Sequence, residues 1–175
     1  MTQKIADRAA LFAKLNALNI THKTHDHTPI FTVADGAHIK TSLPGGHTKN
    51  LFLKDKSGAL FLVCALGDTE IAVNRLHKDL GCKRLSFGKA ELLLDTLGVT
   101  PGSVTVFAVM NDIAGAVTLV LDAALLDYDI VNFHPMKNNA TTALSSADMI
   151  KFAKAVNHDP IILDFKALND AQNES

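Results

Sequence analysis

Two apolar, β-favouring runs joined by a short turn are the feature that most constrains the fold of this chain. The runs cover residues 49–54 and 59–66, and the four residues between them read Asp-Lys-Ser-Gly. Asp, Ser and Gly favour turns because they stabilise or tolerate tight backbone conformations. Two such runs around such a turn predict an antiparallel β-hairpin in the first half of the chain.

The segments around this hairpin predict an α+β fold. Short β-favouring runs occur beside helical patterns, in which apolar residues recur every three or four positions. Tight turns join most of the strands, which favours a mixed, largely antiparallel sheet flanked by helices over a doubly wound parallel sheet. Helices are predicted over residues 3–18, 71–80, 88–97 and 145–156, and further strands over 20–28, 104–110, 116–121, 130–133 and 161–163.

Length and composition predict one domain over residues 1–175. Of the 175 residues, 47% are hydrophobic and 20% are charged, which suffices for a sizeable core. The domain is expected to begin with the helix over residues 3–18, and the polar tail from Asn169 is expected to fray. No apolar run has the length of a membrane span and no signal-peptide pattern opens the chain, so a cytoplasmic location is expected.

Charge is divided unevenly along the chain, although the formal net charge is −1. Residues 38–89 carry nine Lys or Arg against four Asp or Glu, a balance of +5, whereas residues 90–175 carry four against eleven, a balance of −7. A basic half would suit contact with a polyanion. Charge alone favours the simpler interpretation, solvated charges on opposite sides of a globule.

Several familiar kinds of site find no support in the sequence. Phosphate-loop, dinucleotide-binding and Gly-x-Ser-x-Gly motifs are all missing. Cys64 lies within an apolar strand and Cys82 follows a helix end, so neither is activated as a nucleophile, and both are expected to be thiols. His22, His25 and His27 lie close together, but no suitably spaced Cys or carboxylate completes a metal site. Neither a metal nor a cofactor is therefore expected.

Two polar segments are candidates for chemistry. Lys49 stands where a Gly-rich loop meets an apolar strand, so its ammonium would suit contact with a phosphate or a developing oxyanion. A lysine that extends from a strand edge into solvent would have the same sequence. The second segment is the loop after His134, which is rich in amides and hydroxyls, among them Asn138 and Thr141. Such a loop can line a polar pocket, or its side chains can satisfy one another.

Three motifs carry a resemblance to a known family. They are Thr-Lys-Asn-Leu-Phe-Leu at residues 48–53, Pro-Gly-Ser-Val-Thr at 101–105 followed by Asn-Asp at 111–112, and the run from Phe133 to Ser145. Together they resemble the YbaK-like, prolyl-tRNA-synthetase-associated editing domains over residues 20–157. The similarity is greatest to the free-standing branch that clears alanine mischarged onto proline tRNA.

The resemblance implies roles for particular residues. Lys49 matches the family's key lysine, which anchors the terminal adenosine of the tRNA or the ester, and Asn50 follows it as in the family. His134 matches a pocket histidine that helps to select the aminoacyl group. Gly102 matches the glycine of a Gly-x-x-x-Pro motif that shapes the pocket, although Val106 stands at the proline position here.

The expected function is therefore hydrolysis of the ester in mischarged proline tRNA, with alanine as the amino acid removed. A deacylase for cysteine or serine is an alternative, and so is a module that binds aminoacyl-tRNA or an amino acid without catalysis. Expected partners are the acceptor end of a mischarged tRNA and prolyl-tRNA synthetase. Neither a membrane nor DNA is an expected partner.

Overall fold

The structure is a computed structural model that describes residues 5–30 and 33–173. Within these residues, eight strands and six α-helices follow one another with two 3₁₀ helices, Val106–Asn111 and Ala123–Asp127. The strands are β1 (His22–Asp26), β2 (Gly46–Asp55), β3 (Leu60–Leu66), β4 (Leu85–Phe87), β5 (Val117–Asp122), β6 (Ile130–Phe133), β7 (Ala140–Ser145) and β8 (Ile161–Leu163). The helices are α1 (Arg8–Ala17), α2 (Val33–Ser42), α3 (Val73–Leu80), α4 (Ala90–Leu97), α5 (Ser146–Ala155) and α6 (Phe165–Asn173).

All eight strands belong to one mixed sheet with the order β1-β7-β6-β2-β3-β5-β8, and β4 pairs with β2 outside this order. Antiparallel pairs join β1 to β7, β6 to β7, and β2 to both β3 and β4. Parallel pairs join β2 to β6, β3 to β5, and β5 to β8. The prediction of an α+β fold with a mixed, largely antiparallel sheet is therefore confirmed.

The predicted hairpin is formed by β2 and β3, with Leu51 opposite Val63. Asp55 closes its turn, because Oδ1 accepts hydrogen bonds from the backbone N–H of Ser57 at 2.9 Å and of Ala59 at 2.8 Å. The Ser57 hydroxyl also donates to Oδ1, at 2.7 Å. These donors favour the carboxylate, and the hydroxyl has the largest effect, so the pKa of Asp55 falls to about 2.

The two faces of the sheet pack against different helices. On one face, Phe52, Leu62 and Cys64 belong to the main core, to which α1, α4 and α5 contribute buried side chains. On the other face, Leu53 and Val63 belong to a smaller core with side chains from α3 and α6. Neighbouring residues of one strand enter different cores because successive side chains point to opposite faces. The smaller core includes no residue of β1, β6 or β7.

The strand predicted over residues 104–110 is wrong, because Val106–Asn111 forms a 3₁₀ helix. Its apolar residues Val106, Phe107, Ala108 and Val109 are all fully buried. A short continuous apolar run fits a buried strand and a buried helical turn equally well, so its pattern does not distinguish them.

The predictions for the two ends of the chain are only partly met. Helix α1 begins at Arg8, where the Asp7 carboxylate caps it by accepting from the N–H of Ala10 at 2.9 Å. Residues 3 and 4 of the predicted helix lie outside the described residues. The polar tail that was expected to fray from Asn169 is instead part of α6, which is anchored by the buried Phe165. None of the described helices has the length and apolar character needed to cross a membrane.

Candidate functional site

Lys49 lies within β2, and His134 directly follows β6, the strand that pairs with the start of β2. His47 of β2 is the parallel partner of Asn132 in β6. The pairing ends there, two residues before Lys49 in β2 and two residues before His134, which follows the end of β6. Because residues two apart in a strand share a face, the side chain of Lys49 lies on the face that also carries His47 and Asn132.

The face that carries Lys49 is called the open face below, since the smaller core on it includes no residue of β1, β6 or β7. Asn50 does not lie on it. Asn50 is the antiparallel partner of Cys64, which is fully buried in the main core, so its side chain points to the opposite face. The Oδ1 atom of Asn50 is buried and has no hydrogen-bond partner among the described residues.

Lys49 is held within the protein instead of extending into solvent. Its side chain is half-buried, and Nζ donates a hydrogen bond to the backbone carbonyl of Thr69 in the loop between β3 and α3. The Thr69 hydroxyl in turn donates to Oδ2 of the buried Asp122 at 2.5 Å. The ammonium therefore has a defined position over the open face.

The His134 ring carries its proton on Nδ1. Nδ1 lies 3.1 Å from the carbonyl oxygen of Ala140, and a carbonyl can only accept, so Nδ1 is the donor. Burial lowers the pKa of His134 below its ordinary value of 6.5, His27 nearby lowers it further, and the bond to Ala140 acts in the opposite sense. The ring is thus neutral at pH 7, and Nε2 keeps a lone pair that can accept a hydrogen bond from a ligand.

His27 is also part of this site, although its sequence context suggested only a possible metal ligand. Its Nδ1 donates to the carbonyl of Thr28 at 2.7 Å, and its Nε2 lies 2.8 Å from the hydroxyl of Thr141. In the neutral ring Nε2 is the acceptor, so Thr141 donates to it. The predicted residue Thr141 therefore lies beside His27 and, through it, near His134.

Asn138 holds the backbone beside the site. Its Nδ2 donates to the carbonyl of Ile30 at 2.8 Å, and the N–H of Ile30 donates to the carbonyl of Asn138 at 3.0 Å. This exchange fixes the segment after β1 against the loop that follows His134. The side chain of Asn138 is buried, so its amide group supports the local fold.

A cavity of about 370 Å³ opens on the same face, across β1, β7 and β6. Asn132 lines it, and its Nδ2 donates to the carbonyls of Pro44 at 3.1 Å and Gly46 at 3.3 Å. Its Oδ1 is buried without a hydrogen-bond partner among the described residues. Neither Lys49 nor His134 lines this cavity, but Thr141 does, which makes the cavity adjacent to the histidine pair.

Gly102 and Val106 lie on the segment between α4 and β5. Gly102 is exposed and has a φ of +88°, which favours glycine, in a turn after α4. Val106 is fully buried and is the first residue of the 3₁₀ helix capped by Thr105. The role of Gly102 in the site stays a prediction.

The remaining candidates for chemistry have no reactive setting. Cys64 and Cys82 are both free thiols. Burial raises the pKa of Cys64 far above its ordinary value, and burial together with the charge of Asp55 raises the pKa of Cys82. Within residues 5–30 and 33–173, no three His, Cys, Asp or Glu side chains are grouped so that they could hold a metal ion.

Comparison with known proteins identifies the family. Residues 27–152 match the aminoacyl-tRNA editing domain. The chain belongs to this family. It is 42% identical over 163 residues to the bovine prolyl-tRNA synthetase associated domain-containing protein 1, covering 90% of this chain and 95% of the relative. It is 35% identical over 149 residues to the prolyl-tRNA editing protein ProX of Acetoanaerobium sticklandii, covering 85% and 91%.

Solved structures agree on the fold of this editing domain. The crystal structure of a hypothetical protein matches with a TM-score of 0.70 and 21% identity, over 88% of this chain and 97% of the other. A structure described as a candidate trans-editing enzyme for prolyl tRNA synthetase matches with a TM-score of 0.66 and 15% identity, over 92% and 98%. The family resemblance read from the sequence is confirmed by the matched editing domain and by the two relatives.

Proposed function

We propose that this editing domain is a trans-acting hydrolase that removes alanine from mischarged proline tRNA. The observation that carries the proposal is the Lys49 ammonium, which a hydrogen bond to the Thr69 carbonyl holds over the open face. Membership of the editing family and the similarity to ProX, a prolyl-tRNA editing protein, support the same substrate class.

The reaction needs no nucleophilic side chain, because an aminoacyl ester is already activated. Water adds to the ester carbonyl and forms a tetrahedral oxyanion, which then breaks the bond to the ribose oxygen. The free amino acid leaves, and the proton released by the water ends on the 3′-terminal ribose hydroxyl. The protein has to position the ester and the water and to stabilise the oxyanion, and an adjacent ribose hydroxyl of the substrate would orient the water.

Lys49 and Gly102 are assigned to binding the negatively charged groups, namely the tRNA terminus and the developing oxyanion. The Lys49 ammonium holds the tRNA terminus or the developing oxyanion, since it is the cation held over the site by a hydrogen bond. Backbone N–H groups near Gly102 are proposed as further donors. Asn50 supports the strand from its opposite face, because its side chain does not reach the side on which Lys49 lies.

His134 and the residues behind it are assigned to substrate selection. Nε2 of the neutral ring is free to accept from the α-ammonium of the aminoacyl group, because Nδ1 is occupied by Ala140. The surroundings of that ring are held in place by two contacts. Thr141 binds His27, and Asn138 binds the carbonyl of Ile30. A small pocket accepts alanine and excludes proline by size, which a binding site achieves more easily than rejecting a smaller analogue.

A deacylation panel tests the proposal. Alanyl, cysteinyl, seryl and prolyl esters of proline tRNA are incubated with the protein, and we expect the alanyl ester to be hydrolysed fastest. Lys49→Ala is expected to lower that rate about 100-fold, the size of effect seen when one oxyanion donor is removed. Lys54→Ala is the matched control, because it removes an exposed lysine from the same strand. Full activity of Lys49→Ala would remove Lys49 from the mechanism.

A second candidate function is recognition of aminoacyl-tRNA without hydrolysis. It is favoured by Val106, which stands in place of the family proline. Binding of mischarged tRNA with no loss of any of the four esters would support this module and contradict the deacylase. Prolyl-tRNA synthetase is a further proposed partner, and a pull-down that recovers no synthetase would count against it.

A further inference from the structure

We propose that Thr69 and Asp122 are positioning residues that hold the Lys49 ammonium over the open face. The structural part of this proposal concerns Lys49 alone, and its catalytic consequence rests on the deacylase function proposed above. Asp122 is the last residue of β5, and Thr69 lies in the loop between β3 and α3, so neither is near Lys49 in sequence.

Asp122 is a buried carboxylate, 1% exposed, that the proposed chemistry does not otherwise use. Its Oδ2 accepts from the Thr69 hydroxyl at 2.5 Å and from the N–H of Leu66 at 3.2 Å. Its Oδ1 accepts from the N–H of Ala124 at 3.0 Å. Both oxygens are engaged, so the end of β5 is rigidly joined to the end of β3 and to the start of the β3–α3 loop.

Thr69 connects Asp122 to Lys49. Its hydroxyl binds Asp122, its N–H donates to the carbonyl of Leu66 at 3.0 Å, and its own carbonyl accepts from Lys49 Nζ. The next carbonyl along, that of Glu70, accepts from Nδ2 of Asn169 at 2.9 Å. The loop is therefore fixed on both sides of the carbonyl that binds the ammonium.

A lysine needs such a partner more than most residues do. Its four-carbon stem rotates freely, so a strand fixes the position of its Cα but not that of its ammonium. The Lys49 ammonium donates to a carbonyl, which carries no charge and so does not neutralise the ammonium. The Asp122 carboxylate binds Thr69 and does not bind Lys49 directly. The cation is thus oriented while its positive charge stays available to a substrate.

Amine labelling tests the geometry without any assumption about activity. The folded protein receives a trace of an acylating reagent at pH 8, and mass spectrometry measures the modification rate of Lys49. Thr69→Val is expected to raise that rate about fivefold, the equivalent of one lost hydrogen bond of about 1 kcal/mol, because the amine is released. Thr69→Ser is expected to restore the original rate, and Thr69→Ala replaces Thr69→Val if the latter does not fold.

Ser57→Ala is the matched control for this labelling. Its hydroxyl binds the buried Asp55 at 2.7 Å in the turn at the far end of β2, so the same type of bond is removed away from Lys49. We expect Lys49 labelling to be unchanged there. An unchanged Lys49 rate in Thr69→Val, or an equal rise in Ser57→Ala, would overturn the proposal.

Single-turnover deacylation tests the consequence. Thr69→Val is expected to lower the rate at saturating enzyme about tenfold with little change in half-saturation, and to have no effect in a Lys49→Ala background, since contacting residues couple. An equal slowing in both backgrounds would show a merely structural role for Thr69. If Lys49→Ala itself keeps full activity, the proposed function of Lys49 fails, whereas the labelling result still decides the geometry.

Discussion

At the scale of single residues, the chemistry of the site is decided by what each polar atom is bonded to. Lys49 is oriented because its ammonium meets the Thr69 carbonyl, and His134 presents Nε2 because Ala140 occupies Nδ1. His27 has the same arrangement, with Nδ1 bound to a carbonyl. Backbone carbonyls therefore fix a proton on Nδ1 of both rings, and the His134 ring presents Nε2 as an acceptor.

The lowered pKa of His134 predicts a pH dependence of stability. Because the unfolded ring has the ordinary pKa of 6.5 and the folded ring a lower one, the unfolded state takes up a proton first on acidification. The free energy of unfolding should therefore fall as the pH drops below about 6.5, and more so for the wild-type protein than for His134→Gln. Urea titrations at pH 7.5 and 5.5 measure both proteins.

His25→Gln is the control for this measurement, because it removes an exposed imidazole from the neighbouring strand. It should follow the wild-type protein across the same pH range. Identical pH profiles for the wild-type protein and His134→Gln would contradict a buried neutral ring at this position.

At the scale of elements, the departure of this chain from the family's Gly-x-x-x-Pro motif has a local explanation. Val106 is the first residue of a 3₁₀ helix, and Thr105 before it is extended, with ψ of 152°. A first helical residue has no N–H partner within the helix, and an extended residue is the preferred neighbour before proline. The backbone at this position therefore accepts valine and proline alike.

Val106→Pro should consequently fold like the wild-type protein. We expect its free energy of unfolding to change by less than about 1 kcal/mol, because no hydrogen bond is lost and the backbone is already suitable. Val109→Pro, in the interior of the same 3₁₀ helix, should cost about 3 kcal/mol, since proline there removes a donor and clashes with the preceding turn. Thermal and urea unfolding compare the two variants, and equal losses would refute this account of the motif.

At the scale of the whole molecule, distant segments are joined by a few buried polar contacts. Nε2 of His158, after α5, lies 2.8 Å from Oδ2 of Asp112, before β5, and both side chains are almost fully buried. Asp112 also accepts from the N–H of Ala116 at 3.0 Å and of Val117 at 2.8 Å. This contact joins the segment after α5 to the segment before β5.

Removing this contact should destabilise the fold without touching the site. His158→Ala removes the buried partner of one Asp112 carboxylate oxygen, which typically costs about 2 kcal/mol. His22→Ala is the control, because it removes an exposed hydrogen bond of 2.9 Å to Asn16 and should cost less. Denaturant unfolding measures the free energy of unfolding of both variants. Equal decreases would show that the buried pair stabilises the fold no more than the exposed one.

Features formed by residues close together in sequence could be predicted, whereas features that depend on distant residues could not. The hairpin was predictable because its turn residues and its two strands are neighbours in sequence, and the family followed from contiguous motifs around Lys49 and His134. The 3₁₀ helix at Val106–Asn111 was not, because an apolar run shows burial but not backbone form. The helix at Phe165–Asn173 was missed because one buried aromatic residue anchors a polar segment.

The amino-acid sequence by itself determined the class of fold, the hairpin and the family, since these depend on local patterns and contiguous motifs. Only the tertiary structure decided which side chains share the open face. It placed Asn50 away from Lys49, brought His27 to Thr141 across 114 residues, and joined Asp122 to Thr69 across 53. Strand register and order set these contacts, and a one-residue change in register would send every side chain to the other face.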